Sequence, residues 1–143
     1  MHREYFEARF EASCAVSGWP AAFAIITAYA TTGETWSKEE NRAADARLAS
    51  ELQARGVWRV RLTGYSPRTG HAEPGWAAAL PFEAACDLGR QFRQDAIYYV
   101  TGDELFVSYC DTRRGLTPVG RFRERLRVGA ENKSVSPGNS SRF

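Results

Sequence analysis

A chain of 143 residues that is 43% hydrophobic and contains four Trp, six Tyr and eight Phe can bury one core, which excludes global disorder. Its longest apolar stretch falls short of the roughly 20 residues that a membrane-spanning helix needs, and its N-terminus carries acids instead of a basic secretory start. The formal net charge of +2 is small for a dedicated DNA-binding protein. We therefore expect one cytoplasmic α+β domain over residues 1–128, without membrane contact, and a disordered tail over residues 129–143, where Ser, Asn, Gly and Pro predominate.

The first strand and the first helix have clear sequence signals. β-branched and aromatic residues between positions 19 and 31 predict a buried strand. A helix over residues 38–55 is predicted next, because Ser37 and Glu40 can form a capping box and Gly56 can end the helix in a left-handed conformation.

Polar residues near the start of this helix are the first candidates for a binding site. Asn41 lies on the apolar stripe of the helix, so its amide must contact either loop backbone or a ligand. Free N–H groups at the helix start, together with Ser37 and the preceding Thr31, Thr32 and Gly33, can hold a phosphate or carboxylate. The alternative is a well-capped helix with no ligand.

The middle of the chain combines a strand with a segment rich in Gly and Pro. Alternating apolar and Arg residues predict a half-exposed strand over residues 57–63. Gly and Pro breaks predict that residues 65–80 form a long loop, which carries Ser66, His71 and Glu73. Because binding and catalytic residues often lie on such loops, these three are further site candidates.

The tripeptide from His71 to Glu73 matches the first half of a zinc deaminase signature, in which the His binds metal and the Glu transfers protons. The paired cysteines of the second half are missing, because Cys86 and Cys110 are isolated. With Cys14 they are odd in number and widely spaced, which predicts reduced core thiols. We therefore expect neither a metal nor another cofactor.

A second helix and a hairpin are predicted next. Pro81 opens a helix in which Gly89 lies beside the apolar face, and this indicates close packing against the sheet. Two apolar runs between residues 96 and 110 predict a β-hairpin. Gln94 and Asp95 stand between the helix and the hairpin, at an element end where ligands often bind.

Near the C-terminus, apolar residues nearly alternate with arginines over residues 119–128. This pattern predicts an edge strand, with a short helix as the open alternative. Its arginines, Arg121, Arg123, Arg125 and Arg127, can contact an acidic protein or nucleic acid. They can equally form a solvated edge whose charges prevent sheet-to-sheet aggregation.

Five spaced motifs resemble those of a known family. They are Ile26-Thr27-Ala28-Tyr29; Ser37 with Glu40-Asn41; Gly64-Tyr65-Ser66-Pro67 with His71 and Glu73-Pro74-Gly75; Leu88-Gly89-Arg90 with Phe92 and Gln94-Asp95-Ala96-Ile97; and Val119-Gly120 with Phe122-Arg123. Over nearly all of residues 5–128 the chain resembles a bacterial family catalogued as domain of unknown function 3293. Most of the polar candidates coincide with these motif positions, which favours a shared site. The chain departs from the family pattern at Ala30-Thr31, Arg68 and Arg93, where members tend to have Asn-Pro, an acid and a Gly.

The expected fold is an α+β two-layer sandwich, in which a mixed and mainly antiparallel sheet of about five strands carries two helices on one face. We expect the polar candidates to face one site for a small polar or anionic ligand, such as a nucleotide. Its ligand-binding residues would be Tyr29, Ser37, Asn41, Ser66, Gln94 and Asp95, and His71 or Glu73 would transfer a proton if the site is catalytic. The alternative is a noncatalytic interaction module that uses the C-terminal arginines.

Overall fold

Eight strands form one sheet in the computed structural model, which describes residues 1–30 and 35–129. The strands are β1 Arg9–Ala12, β2 Ala22–Thr27, β3 Arg59–Tyr65, β4 Ala72–Ala78, β5 Ala96–Thr101, β6 Glu104–Tyr109, β7 Thr117–Arg121 and β8 Leu126–Val128. The helices are α1 Lys38–Arg55 and α2 Phe82–Gln91, with short 3-10 helices at Arg3–Phe6 and Arg123–Arg125.

Across the sheet the strand order is β7-β6-β5-β2-β4-β3-β1-β8, and every neighbouring pair is antiparallel except β1 with β8. The predicted α+β class and the mixed, mainly antiparallel sheet are confirmed. Eight strands are present where about five were expected. The strands β1 and β8 have four and three residues, too few for a period-two pattern to stand out in the sequence.

Both helices cover the same face of the sheet, as expected. Leu48 and Leu52 of α1 and Leu88 of α2 are fully buried in one core with Ile26 of β2 and Ile97 of β5. Removing these large apolar side chains from water is the main favourable term that holds the helices on the sheet.

The opposite face of the sheet encloses a second core. Phe10 of β1, Phe23 of β2 and Phe122, which follows β7, are almost fully buried there. The rings of Phe23 and Phe122 meet edge to face with centroids 5.3 Å apart, and the centroids of Phe10 and Phe122 are 6.0 Å apart. Because β1 and β7 lie toward opposite edges of the sheet, the sheet curls to bring these rings together.

The prediction of a long loop over residues 65–80 is wrong, because the strand β4 lies within this range and pairs with both β2 and β3. A Cβ on Gly75 would lie 2.7 Å from the carbonyl oxygen of Ile26, so this glycine marks a close approach of two strands. Pro74 lies just beyond the last pair between β2 and β4, where its missing N–H costs no hydrogen bond to β2. Pro74 and Gly75, which usually interrupt regular structure, therefore lie within a strand here.

The local predictions for α1 are confirmed. The helix spans Lys38–Arg55, and Ser37 and Glu40 form both hydrogen bonds of the capping box. Gly56 ends the helix with a φ of 65°. The predicted strands over residues 19–31 and 57–63 correspond to β2 and β3, and the predicted hairpin to β5 and β6.

The second helix packs closely on the sheet, as predicted from Gly89. A Cβ at that position would lie 2.6 Å from Sγ of Cys110. Cys86 and Cys110 are buried free thiols, and burial raises the pKa of both. Cys14 is exposed in the bend after β1, so the prediction that all three thiols lie in the core is wrong for this residue.

Residues 119–128 contain both of the predicted alternatives, since a 3-10 turn separates β7 from β8. Thr31, Thr32 and Gly33 lie outside the described residues, and so do residues 130–143. The anion site before α1 and the disordered tail therefore stay predictions.

Candidate functional site

A pocket of about 520 Å³ opens beside the second core, between the first 3-10 helix, the ends of β2 and β3, the start of β4 and the turn before β5. It is lined by six of the eight predicted site residues, which are Tyr29, Asn41, Ser66, His71, Glu73 and Gln94. Ser37 and Asp95 are not among the lining residues.

The register of β2 against β4 brings Glu73 next to Thr27. Thr27 pairs with Gly75, and residues two apart on a strand point to the same face, so Glu73 and Thr27 share a face. Gly75 has no side chain to fill the space between them. The hydroxyl of Thr27 lies 3.3 Å from Oε1 of Glu73, and the carboxylate is only 28% exposed.

Gln94 is held in one orientation by backbone carbonyls. Its Nε2 donates to the carbonyl oxygen of Tyr29 at 2.8 Å and to that of Phe92 at 3.2 Å. Because both contacts require a donor, the amide oxygen Oε1 must be the atom that faces Thr27, 3.1 Å from its hydroxyl. The turn that positions Gln94 contains Arg93, a non-glycine residue with a φ of 62°.

His71 and Glu73 form a pair at the rim of the pocket. Nε2 of His71 lies 3.0 Å from Oε2 of Glu73, and the imidazole is 71% exposed. In the tautomer that carries its proton on Nε2, the imidazole donates to the carboxylate and leaves Nδ1 as an acceptor. A carboxylate that orients an imidazole in this way is an arrangement used for general base catalysis.

The remaining predicted residues have mainly backbone partners. Asn41 is half-buried, and its Oδ1 accepts a hydrogen bond from the backbone N–H of Ala30 at 2.9 Å. Of the two partners considered for this amide, loop backbone or a ligand, this contact is with loop backbone. Ser66 accepts from the backbone N–H of Thr69 at 3.2 Å. Ser37 caps α1, and the exposed Asp95 lies in the turn before β5.

Sequence reasoning missed two tyrosines in the pocket. The hydroxyl of Tyr98 donates to the carbonyl oxygen of Tyr5 at 2.6 Å, and this contact ties the N-terminal segment to β5. Burial, with the negative charges of Asp95 and Glu73 as further causes, raises the pKa of Tyr5 to about 12. Burial also raises the pKa of Tyr98. Tyr5 lies in the 3-10 helix Arg3–Phe6, which is a single turn. This helix is too short for a periodic signal that could have placed Tyr5 in the pocket.

The side chains of three of the four C-terminal arginines contact other residues of the chain. Arg125 donates to the carbonyl oxygens of Phe6, Ala8 and Val119. Arg127 lies 2.8 Å from a carboxylate oxygen of Glu11 and stacks on the ring of Tyr65, and Arg121 lies 3.4 Å from a carboxylate oxygen of Asp103. Within residues 1–30 and 35–129, the guanidinium of Arg123 makes no ion pair.

The described part of the chain lacks two features. None of its helices is both long and apolar enough to cross a membrane. Nor do its residues include a group of three or more His, Cys, Asp or Glu side chains arranged to hold a metal ion.

Comparisons with known proteins identify a family whose function is unknown. A family model described as "Protein of unknown function (DUF3293)" matches residues 26–97, just over half of the chain. This confirms the resemblance found in the sequence, and all six predicted residues that line the pocket fall inside the matched range. No curated protein and no solved structure matches the chain.

Proposed function

We propose that in this chain, a member of the DUF3293 family, the pocket is a binding site for a small polar ligand. The proposal is argued from the residues of the chain itself, because the function of the family is unknown. The observation that carries the proposal is the convergence of six polar residues on one pocket from separate parts of the chain. They come from the end of β2, the start of α1, the β3–β4 turn, the start of β4 and the turn before β5. A concave site with a few converging polar groups is the usual form of a small-molecule site.

The pair of His71 and Glu73 supports a proton transfer step if the bound ligand is a substrate. The carboxylate lies 3.0 Å from the imidazole, and the exposed ring can reach a ligand at the pocket mouth. We assign His71 the role of general base and Glu73 the role of orienting it. Binding without turnover uses the same residues as hydrogen-bonding groups.

A thermal-shift screen tests the binding proposal. A ligand at 100 times its Kd adds about 2.7 kcal/mol to the free energy of unfolding and raises the Tm of a domain of this size by roughly 5–10 °C. The panel contains nucleosides, nucleotides, sugar phosphates, carboxylates, amines and amidines. We expect at least one compound to raise the Tm of the wild type and to have a much smaller effect on Glu73→Gln, which keeps the shape of the side chain.

The control variant is Glu104→Gln, which changes an exposed acid on β6 that does not line the pocket. It should respond to the ligand as the wild type does. The proposal fails if no compound raises the Tm, or if every active compound acts equally on the Glu73→Gln variant.

The alternative function, binding an acidic protein or nucleic acid through the C-terminal arginines, has less support. Arg121, Arg125 and Arg127 already contact carboxylates or carbonyl oxygens of the same chain. An interaction of this kind would weaken steeply with added salt and would be lost in the Arg123→Glu variant.

A further inference from the structure

Among the described residues, the hydrogen-bonding groups around Thr27 include two acceptors but only one donor. Its hydroxyl has one proton, yet two acceptors lie within reach, Oε1 of Gln94 at 3.1 Å and Oε1 of Glu73 at 3.3 Å. The amide of Gln94 cannot flip to offer a donor, because its nitrogen is committed to two carbonyl oxygens. Among the described residues, no other donor reaches either oxygen. One of the two acceptors is therefore left without a hydrogen bond from the described residues, and a ligand in the pocket can supply it.

The described lining of the pocket carries more acidic than basic side chains. Its described lining residues include the acids Glu4 and Glu73 and one basic group, the imidazole of His71 that contacts Glu73, but no Lys or Arg. The carboxylate of Glu73 contributes to the raised pKa of both Tyr5 and Tyr98, after burial as the main cause, so its field reaches across the pocket. A lining with acids and no Lys or Arg among its described residues favours a cationic ligand over an anionic one.

Two nearby arginines lie outside the described lining of the pocket. Arg125 offsets part of the rise in the pKa of Tyr98 that burial causes, but its guanidinium donates to backbone carbonyl oxygens and does not line the pocket. Arg127 stacks on Tyr65, and its charge is paired with Glu11.

Aromatic side chains form much of the remaining surface. The pocket is lined by Tyr5, Tyr29, Trp36, Tyr65 and Tyr98, with Phe10 at its base. Flat aromatic bodies pack well against such rings, and a cation is attracted to their faces. The contact of the Arg127 guanidinium with the Tyr65 ring, 4.2 Å from the centroid, is an example within this chain.

We infer that the pocket binds a small organic cation that combines an aromatic ring with an amine or amidine group. The N–H groups of this cation donate to whichever of the two acceptors, Glu73 or Gln94, does not receive the proton of the Thr27 hydroxyl. This inference rests on the proposed function, because it specifies the ligand of the same pocket. It also replaces the anionic ligand expected from the sequence, which would meet Glu73 where the described lining residues include no Lys or Arg.

Benzamidine, benzamide and benzoate test the charge preference, because they share one ring and nearly one shape but carry a positive, zero and negative charge. Binding is measured by ligand-detected NMR titration at low salt, with Kd values on the order of 1 mM for the best binder of this size. We expect benzamidine to bind about tenfold or more tightly than benzoate, with benzamide between them. The Glu73→Gln variant should lose most of the preference for benzamidine over benzamide, while Glu104→Gln should keep it.

The inference is overturned if benzoate binds as tightly as benzamidine, or if Glu73→Gln leaves the preference unchanged. It is also overturned if none of the three binds. The proposed function is judged separately by the thermal-shift panel. A nucleotide, sugar phosphate or carboxylate whose effect on the Tm depends on Glu73 would preserve the binding site and reject only the cationic ligand.

Discussion

Replacing Gly75 by Ala perturbs the pairing that holds the pocket together. A Cβ at this position would lie 2.7 Å from the carbonyl oxygen of Ile26 and 2.7 Å from Cγ2 of Thr27. The Thr27 side chain can rotate, but only at the cost of its contacts to Glu73 and Gln94. The carbonyl oxygen belongs to the backbone of a central strand, so relief requires β4 to move away from β2.

The size of the effect follows from these contacts. Overpacking an interior site by one methyl group costs about 1–3 kcal/mol, and a clash with backbone belongs at the upper end of that range. Against this, Ala restricts the unfolded chain more than Gly does, which stabilises the folded state by about 0.4–1 kcal/mol. We expect the Gly75→Ala variant to lose about 1–2.5 kcal/mol of unfolding free energy in net terms, or roughly 2–10 °C in Tm.

Gly64→Ala is the matched control, because Gly64 is also a strand glycine in the same sheet and lacks a left-handed φ. A Cβ there would come no closer than 3.8 Å to the ring of Phe10, an ordinary contact. This variant should be as stable as the wild type or more stable by up to about 1 kcal/mol. Urea denaturation followed by circular dichroism measures both. The reasoning is refuted if Gly75→Ala unfolds at the wild-type urea concentration, or if both variants lose equal stability.

Two further predictions concern the turn before β5 and the buried phenols. Arg93 has a φ of 62°, a left-handed conformation that costs a non-glycine residue about 1–2 kcal/mol. The Arg93→Gly variant should therefore have an unfolding free energy that is higher by about 0.5–1 kcal/mol. A loss of stability in urea would contradict this. The pKa values of Tyr5 and Tyr98 are raised above the ordinary 10.0, so the folded state keeps protons that the unfolded state releases. Their contribution is therefore complete below pH 10.0 and declines above it, by up to about 1.4 kcal/mol per pH unit for each phenol. Alkaline denaturation should show a shallower decline in Tyr98→Phe, and an identical slope in both proteins would exclude this cause.

Elements with local signals could be predicted closely from the sequence. The helix α1 begins and ends where Ser37 and Gly56 indicate, because capping depends on residues only a few positions apart. The hairpin of β5 and β6 likewise follows from two apolar runs and the turn between them. Gly89 indicated a close approach to the sheet, and the helix face that carries it could be read from the periodicity.

The strand β4 could not be predicted, because Pro74 and Gly75 have opposite meanings in a loop and in a crowded central strand. Only the pairing with β2 and β3 shows that the absent Cβ is required by a neighbouring backbone. The strands β1 and β8 were missed for a related reason. They are too short for a local pattern, and packing of distant aromatic rings in the second core decides where they lie.

For the candidate site, residue chemistry alone selected His71, Glu73 and Gln94, which are polar groups at element ends or in the family motifs. Their distances, the part played by Thr27 and the gathering of acidic side chains in the pocket depend on the tertiary structure. The physical reason is that strand register and sheet curl are set by contacts between residues far apart in the chain. A sequence pattern with a period of two or 3.6 residues carries no information about those contacts.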